Sequence, residues 1–166
     1  MSINIALLTV TDTRTLENDR SGNILADKIK IAKHNLIDRK ICKDEKEDIK
    51  IILKEWTKKE NLDVIITTGG TGLTGRDITP EALNEIADKH IPGFGEIFRY
   101  YSLETVGTSS IQSRACAVLS NGKYIFALPG SSGGVTDAWD KILVHQLDVN
   151  HKPCNFVELF PRLKEK

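Results

Sequence analysis

The stretch from Thr68 to Ala82, Thr-Gly-Gly-Thr-Gly-Leu-Thr-Gly-Arg-Asp-Ile-Thr-Pro-Glu-Ala, concentrates the residue types best suited to chemistry. Gly69, Gly70, Gly72 and Gly75 lack the Cβ that keeps backbone amides away from a ligand, so the segment Gly69, Gly70, Thr71, Gly72 reads as an anion-binding nest. Thr79 followed by Pro80 reads as the N-cap and first position of a helix whose positive end favours phosphate or carboxylate nearby. Asp77 would repel an anion in that nest unless a Mg²⁺ bridges the two or the carboxylate works as an acid or base. The plain alternative is a carboxylate that braces the loop through Thr79 or through backbone amides. Arg76 reads equally as a phosphate ligand and as half of a surface ion pair.

The run Gly70 to Gly75 matches the dinucleotide pattern G-x-G-x-x-G, but that motif follows a first strand and opens its helix among the glycines. Here the loop follows the third strand-like run and the helix begins after it, which disfavours an NAD-type oxidoreductase. A Walker A loop is excluded because no Gly-Lys-Ser/Thr is present. A second glycine loop, Leu128 to Asp137, contains Pro129, Gly130, Ser131, Gly133 and Gly134 and again leads from strand to helix. Two such loops at the carboxyl ends of strands border one crevice in an open α/β sheet. A third segment, Thr11, Asp12, Thr13 and Arg14, ends the first strand-like run and continues to Ser21 and Gly22, where Ser21 is either a ligand contact or the cap of the next helix.

Apolar runs of strand length at Ile3–Val10, Leu36–Cys42, Leu62–Thr67, Ala115–Leu119 and Tyr124–Leu128 position these loops. Between them, Ile24, Leu25, Ile29 and Ala32 mark one helix, Ile49, Ile52, Leu53 and Trp56 a second, and Ala82, Leu83, Ile86 and Ala87 a third, with a last helix over Thr136–Leu147. Alternating strands and helices predict a mainly parallel sheet covered on both faces. Asn121-Gly122 predicts a type I′ hairpin, which sets the fifth strand antiparallel to the fourth. The Lys/Glu-rich segment Lys43–Glu60 is the wet face of an amphipathic helix. Nothing divides the chain, so residues 1–166 read as one domain, with an extended tail over 149–166 that docks or stays mobile.

Lys plus Arg and Asp plus Glu both total 23 in the 166 residues, so no basic surplus points to nucleic acid, and an anionic ligand needs a local site. Folding at this length buries roughly 70% of the extended chain's surface, enough for a core without staples. Cys42, Cys116 and Cys154 are odd in number and far apart, the pattern of reduced thiols in a cytoplasmic protein. The first ten residues are too short an apolar run to span a membrane and lack a basic leader. Phe94, Phe98, Tyr100 and Tyr101, crowded into eight positions, read as more aromatic surface than one core covers, and so as an interface between copies.

With these segments in view, the chain resembles the MoaB/MogA family of molybdenum cofactor biosynthesis. The resemblance rests on Thr11–Arg14, Ser21–Gly22, Lys43–Glu45, Thr67–Ala82, Ile91–Glu96, Gln112–Ala115 and Leu128–Ser131, and the stretch from Gln146 to Phe156 is more similar to the MoaB branch. It implies a three-layer αβα sandwich with a mostly parallel mixed sheet, assembled as a trimer or hexamer, that binds molybdopterin and works beside other proteins of that pathway. Active members adenylylate molybdopterin with ATP and Mg²⁺, releasing pyrophosphate. The family's two aspartates fall on Asp44 and Asp77, with Asp77 expected to support Mg²⁺ and the pterin phosphate and Asp44 to assist phosphoryl transfer. Thr11, Asp12, Ser21, Gly22, Gly69, Gly70, Thr71, Gly72, Arg76, Pro129, Gly130 and Ser131 are the expected ligand contacts. Lys43 and Ser132 stand where the pattern often has proline, and Leu73 to Arg76 is less basic than in MogA-like members. A non-catalytic molybdopterin-binding or carrier protein is therefore the rival reading.

Overall fold

Strand β1 (Asn4–Val10) sends Ile5 and Leu7 to one side and Ala6, Leu8 and Val10 to the other, and all five are buried. A strand buried on both sides needs cover on both. The computed structural model describes residues 1–165, in which β1 is followed by α1 (Arg20–Ile31), β2 (Asn35–Cys42), α2 (Lys46–Thr57), β3 (Val64–Thr68), α3 (Thr79–Asn84) and β4 (Lys89–His90). Then come α4 (Pro92–Val106), a 3₁₀ turn (Gly107–Gln112), β5 (Cys116–Ser120), β6 (Lys123–Leu128) and α5 (Ser132–Ala138). Helix α5 runs on through a π-helical stretch, Trp139–Leu143, into the short α6 (Val144–Gln146).

The strands form one sheet in the order β2-β1-β3-β6-β5-β4. The first four are parallel, while β5 runs against β6 and β4 against β5. Leu25 and Ile29 of α1, Phe94 and Phe98 of α4 and Val135 of α5 cover the Ile5/Leu7 face. Ile49, Leu53 and Trp56 of α2 with Ala82 and Leu83 of α3 cover the other. This is the expected three-layer αβα sandwich. The register pairs Thr9 with Thr68 and Thr68 with Leu128, so β1, β3 and β6 end side by side and their following loops leave from one edge.

All five expected strands are present within two residues of their predicted ends, and Asn121 (φ 47°) and Gly122 (φ 71°) make the left-handed pair that a type I′ hairpin requires. Strand β4 was not legible because both of its residues are exposed and carry no apolar signal. Helix α4 takes two of the four aromatics expected at an interface into the core. Pro92 sits in its first turn, where a missing N–H costs nothing, and Phe94 and Phe98 are only 3% and 2% exposed. Phe94 packs on Phe126 with ring centroids 5.1 Å apart, so these two rings belong to the core, and Tyr100 alone of the four is strongly exposed. The last helix starts at Ser132, four residues earlier than expected.

Two capping assignments are also corrected. Asp19, fully buried, caps α1 by accepting from the Gly22 N–H at 3.0 Å, and Ser21 lies inside the helix. Ile78 occupies the cap position of α3, and Thr79 is its first residue. The tail is less extended than expected: it folds into a 3₁₀ turn at Val157–Arg162, and Phe156, Phe160 and Leu163 pack on the core. No helix among the described residues is long and apolar enough to cross a membrane. All three cysteines are free, and burial pushes the Cys42 thiol up to about 12 and Cys116 to about 11.

Candidate functional site

The two glycine loops meet. Gly69 (φ 102°) turns the chain out of β3, with its N–H bonded to Leu128 O at 3.0 Å, and the position of a Cβ on it lies 2.2 Å from Val10 O. A Cβ on Gly130 would lie 3.3 Å from the Gly69 Cα, so the two loops run in contact. Thr68 Oγ1 donates to Pro129 O at 2.8 Å, and Thr79 Oγ1 donates back to Gly69 O at 2.9 Å. That second bond explains why Thr79 does not cap its helix: its hydroxyl is spent closing the loop. Ser131 caps α5, accepting from the Gly134 N–H at 3.1 Å, so the amide end of that helix opens at the same place.

These loops border a cleft of about 1110 Å³ at the carboxyl edge of β1, β3 and β6. The connection after β1 runs to β2 on one side and the connection after β3 runs the other way across the sheet toward β4, so the switch point lies between β1 and β3, which is where open α/β sheets place their ligands. The cleft is lined by Thr11, Ser21, Asp44, Gly69, Gly70, Thr71, Gly72, Asp77, Pro129, Gly130 and Ser131, all expected contacts. Asp12, Gly22 and Arg76 are not among the lining residues. Arg76 is the ion-pair half of its two readings: it holds Asp12 at 2.9 Å and Glu45 at 3.0 Å. Asp12 in turn accepts from the Asp44 N–H at 3.2 Å, so this pair ties the first loop to the segment before α2. A Cβ on Gly22 would fall 2.0 Å from an oxygen of Asp19, which accounts for that glycine by helix capping.

Asp77 accepts from the N–H and hydroxyl of Thr74 at 2.9 and 2.7 Å, both on Oδ2, with the Gly72 amide nearby. Its brace is therefore Thr74, with no part played by Thr79. Burial pushes this carboxyl up, but those bonds and the nearby Arg114 outweigh it and hold it below the ordinary carboxylate range. Asp44 behaves oppositely. Burial lifts it first, the negative charges of Asp12 and Asp77 lift it further, and Arg76 only partly offsets them. A carboxylate edge of this kind favours a cation. No group of three or more His, Cys, Asp or Glu able to hold a metal occurs among the described residues. Mg²⁺, which commonly takes one or two carboxylates and completes its shell with water and substrate phosphate, suits the pair Asp44 and Asp77.

The opposite wall was not foreseen. Ser102, Thr105, Ser109, Ser110, Gln112 and Ser113 line it from the end of α4 and the turn that follows. Thr105 donates to Asp137 Oδ2 at 2.9 Å, which joins this wall to α5. Seven hydroxyl or amide side chains within Ser102–Ser113 were the available signal. Arg14 is the one cation lining the cleft among the described residues, with Nη1 3.3 Å from Ser21 Oγ and 3.4 Å from Gly130 O.

Comparison with known proteins gives the family and agrees with the fold. A family described as a probable molybdopterin binding domain matches residues 6–149. Molybdenum cofactor biosynthesis protein B of Escherichia coli (strain K12) is 43% identical over 161 residues, covering 97% of this chain and 93% of that protein. A crystal structure of a molybdenum cofactor biosynthesis protein B superimposes with a TM-score of 0.89 at 38% identity, covering 100% of this chain and 98% of the other. The tungsten cofactor synthesizing protein MoaB from Pyrococcus furiosus gives 0.76 at 34% identity, covering 86% and 91%. The chain belongs to the MoaB/Mog family of molybdenum cofactor biosynthesis proteins.

Proposed function

We propose that the cleft binds molybdopterin and transfers the adenylyl group of ATP to it, giving adenylyl-molybdopterin and pyrophosphate. The observation that carries this reading is that Asp44 and Asp77, delivered by different loops, line one cleft with two touching glycine loops and a helix amide end. Nucleotidyl transfer needs positioning and charge neutralisation more than covalent chemistry, and amides with a carboxylate-held cation supply both. Asp77, kept ionised by its loop, is the side chain suited to hold Mg²⁺, which when bound neutralises the triphosphate. Asp44 completes that site from the other loop and assists the transfer. The hydroxyl wall Ser102–Ser113 offers the donors and acceptors that a pterin ring edge requires. Arg14 faces the phosphate side.

One observation favours the rival carrier reading: the bonds from Thr74 already engage Asp77 Oδ2. The two readings separate on incubation of the protein with molybdopterin and Mg-ATP. The enzyme releases one pyrophosphate per molybdopterin consumed; a carrier binds the pterin at equilibrium and releases none. The cellular setting of this chemistry is the cytoplasm. Self-association as a trimer or hexamer belongs to the same proposal, supported by the exposed Tyr100, Leu103 and Val106 of α4 and the exposed Ile111 beyond it.

A further inference from the structure

Arg114 does not line the cleft, yet it closes the loop on which Asp77 rides. Its backbone N–H donates to Thr71 O at 2.9 Å. Its side chain donates from Nε to Gly72 O at 2.7 Å and from Nη2 to Asp77 O at 2.8 Å. Nη1 pairs with Glu81 in the first turn of α3. One residue thus ties together the start of the glycine loop, its end and the helix that follows.

Apart from the exposed pairs of Arg76 with Asp12 and Glu45, the loop between these anchors has little else to hold it. Leu73 is 66% exposed, and a Cβ on Gly75 would meet nothing within 4 Å, so no packing fixes the span. The bonds from Thr74 to Asp77 act within the loop and do not attach it to the body of the protein. A guanidinium can make the attachment because its donors lie in one rigid plane, which lets a single side chain bind two carbonyls and a carboxylate at once. Arg114 also follows directly on the hydroxyl wall, so the same residue fixes the distance between the two sides of the cleft.

We propose that Arg114 is a positioning residue of this site, setting the place of the Asp77 carboxylate and the Gly70–Gly72 amides through the geometry of its fork. The kinetic consequence rests on the adenylyl-transfer reading; the structural consequence does not.

The test compares the parent with Arg114→Ala, Arg114→Lys and Glu81→Gln by amide hydrogen exchange and by pyrophosphate release. Exchange in Arg114→Ala is expected to rise about tenfold or more within residues 71–77 while the sheet stays protected, the mark of local opening. The kcat falls about 100-fold, as for a misplaced catalytic group, while KM for Mg-ATP moves less than about threefold. Arg114→Lys resembles Arg114→Ala in both readouts, because a point charge cannot replace the fork. Glu81→Gln falls between parent and Arg114→Ala. Should Arg114→Ala not fold, the other two variants carry the test. Restoration of parental exchange and kcat by lysine, or exchange spread evenly over the sheet, overturns the proposal. A parent without turnover retires the adenylyl-transfer reading, and the exchange pattern alone then decides on Arg114.

Discussion

Gly70→Val abolishes pterin binding and lowers stability without unfolding the chain. Gly70 has φ 66°, a left-handed conformation in which a Cβ crowds its own carbonyl, at about 1–2 kcal/mol for an ordinary residue. The Cβ would also lie 2.4 Å from Thr79 Oγ1 and 3.2 Å from Asp44 Oδ1. Thr79 must then give up its bond to Gly69 O, which adds an overpacking cost of about 1–3 kcal/mol. The sum of roughly 2–5 kcal/mol is within what a domain of this size withstands, so thermal unfolding shows a lower Tm with a cooperative transition. Pterin affinity falls about 100-fold or more because the side chain displaces both the nest and the Asp44 carboxylate. Gly75→Ala is the matched control: its Cβ enters open space, and both Tm and affinity stay at parental values. Parental affinity in a folded Gly70→Val protein would remove the nest from the binding site.

Asp77→Asn separates catalysis from binding. Asparagine keeps a carbonyl oxygen that accepts the Thr74 N–H and hydroxyl bonds, so the loop retains its shape. What disappears is the charge. Turnover falls by about 10²–10³-fold as the cation site weakens, and the Mg²⁺ concentration for half-maximal rate rises. Pterin affinity holds or improves, since one negative charge beside the ligand's phosphate is gone. If the carboxylate only braces the loop, turnover and Mg²⁺ dependence both stay within a few-fold of the parent.

The fold was legible where local chemistry and global position agree. The continuous apolar run of β1, the Asn121-Gly122 turn and the helical spacing on α2 each have one physical reading, and each holds. The placement of the glycine loops was equally readable, because glycine density at a strand end has few explanations besides close backbone approach. What stayed hidden depends on partners distant in sequence. Arg76 could be assigned to Asp12 only once β1 and the loop after β3 were side by side, 64 positions apart in the chain. Arg114 meets Gly72 across 42 positions, and nothing in the local sequence marks an arginine as a clamp. Thr79 looked like a cap since threonine before proline is a common helix start, but its hydroxyl was taken by Gly69 O. Helix α4 was obscured by Pro92, Gly93 and Gly95, residues that read as turn formers yet fall in a first turn where they are tolerated. With α4 unread, the hydroxyl wall behind it was unread as well.

The central claim is that this cleft moves an adenylyl group. ATP labelled in its α-phosphate, incubated with the protein, molybdopterin and Mg²⁺, measures that transfer most directly. The account predicts label on the pterin in one-to-one ratio with pyrophosphate released, lost in Asp77→Asn and in the absence of Mg²⁺. Tight pterin binding by the parent with no label transferred would contradict it.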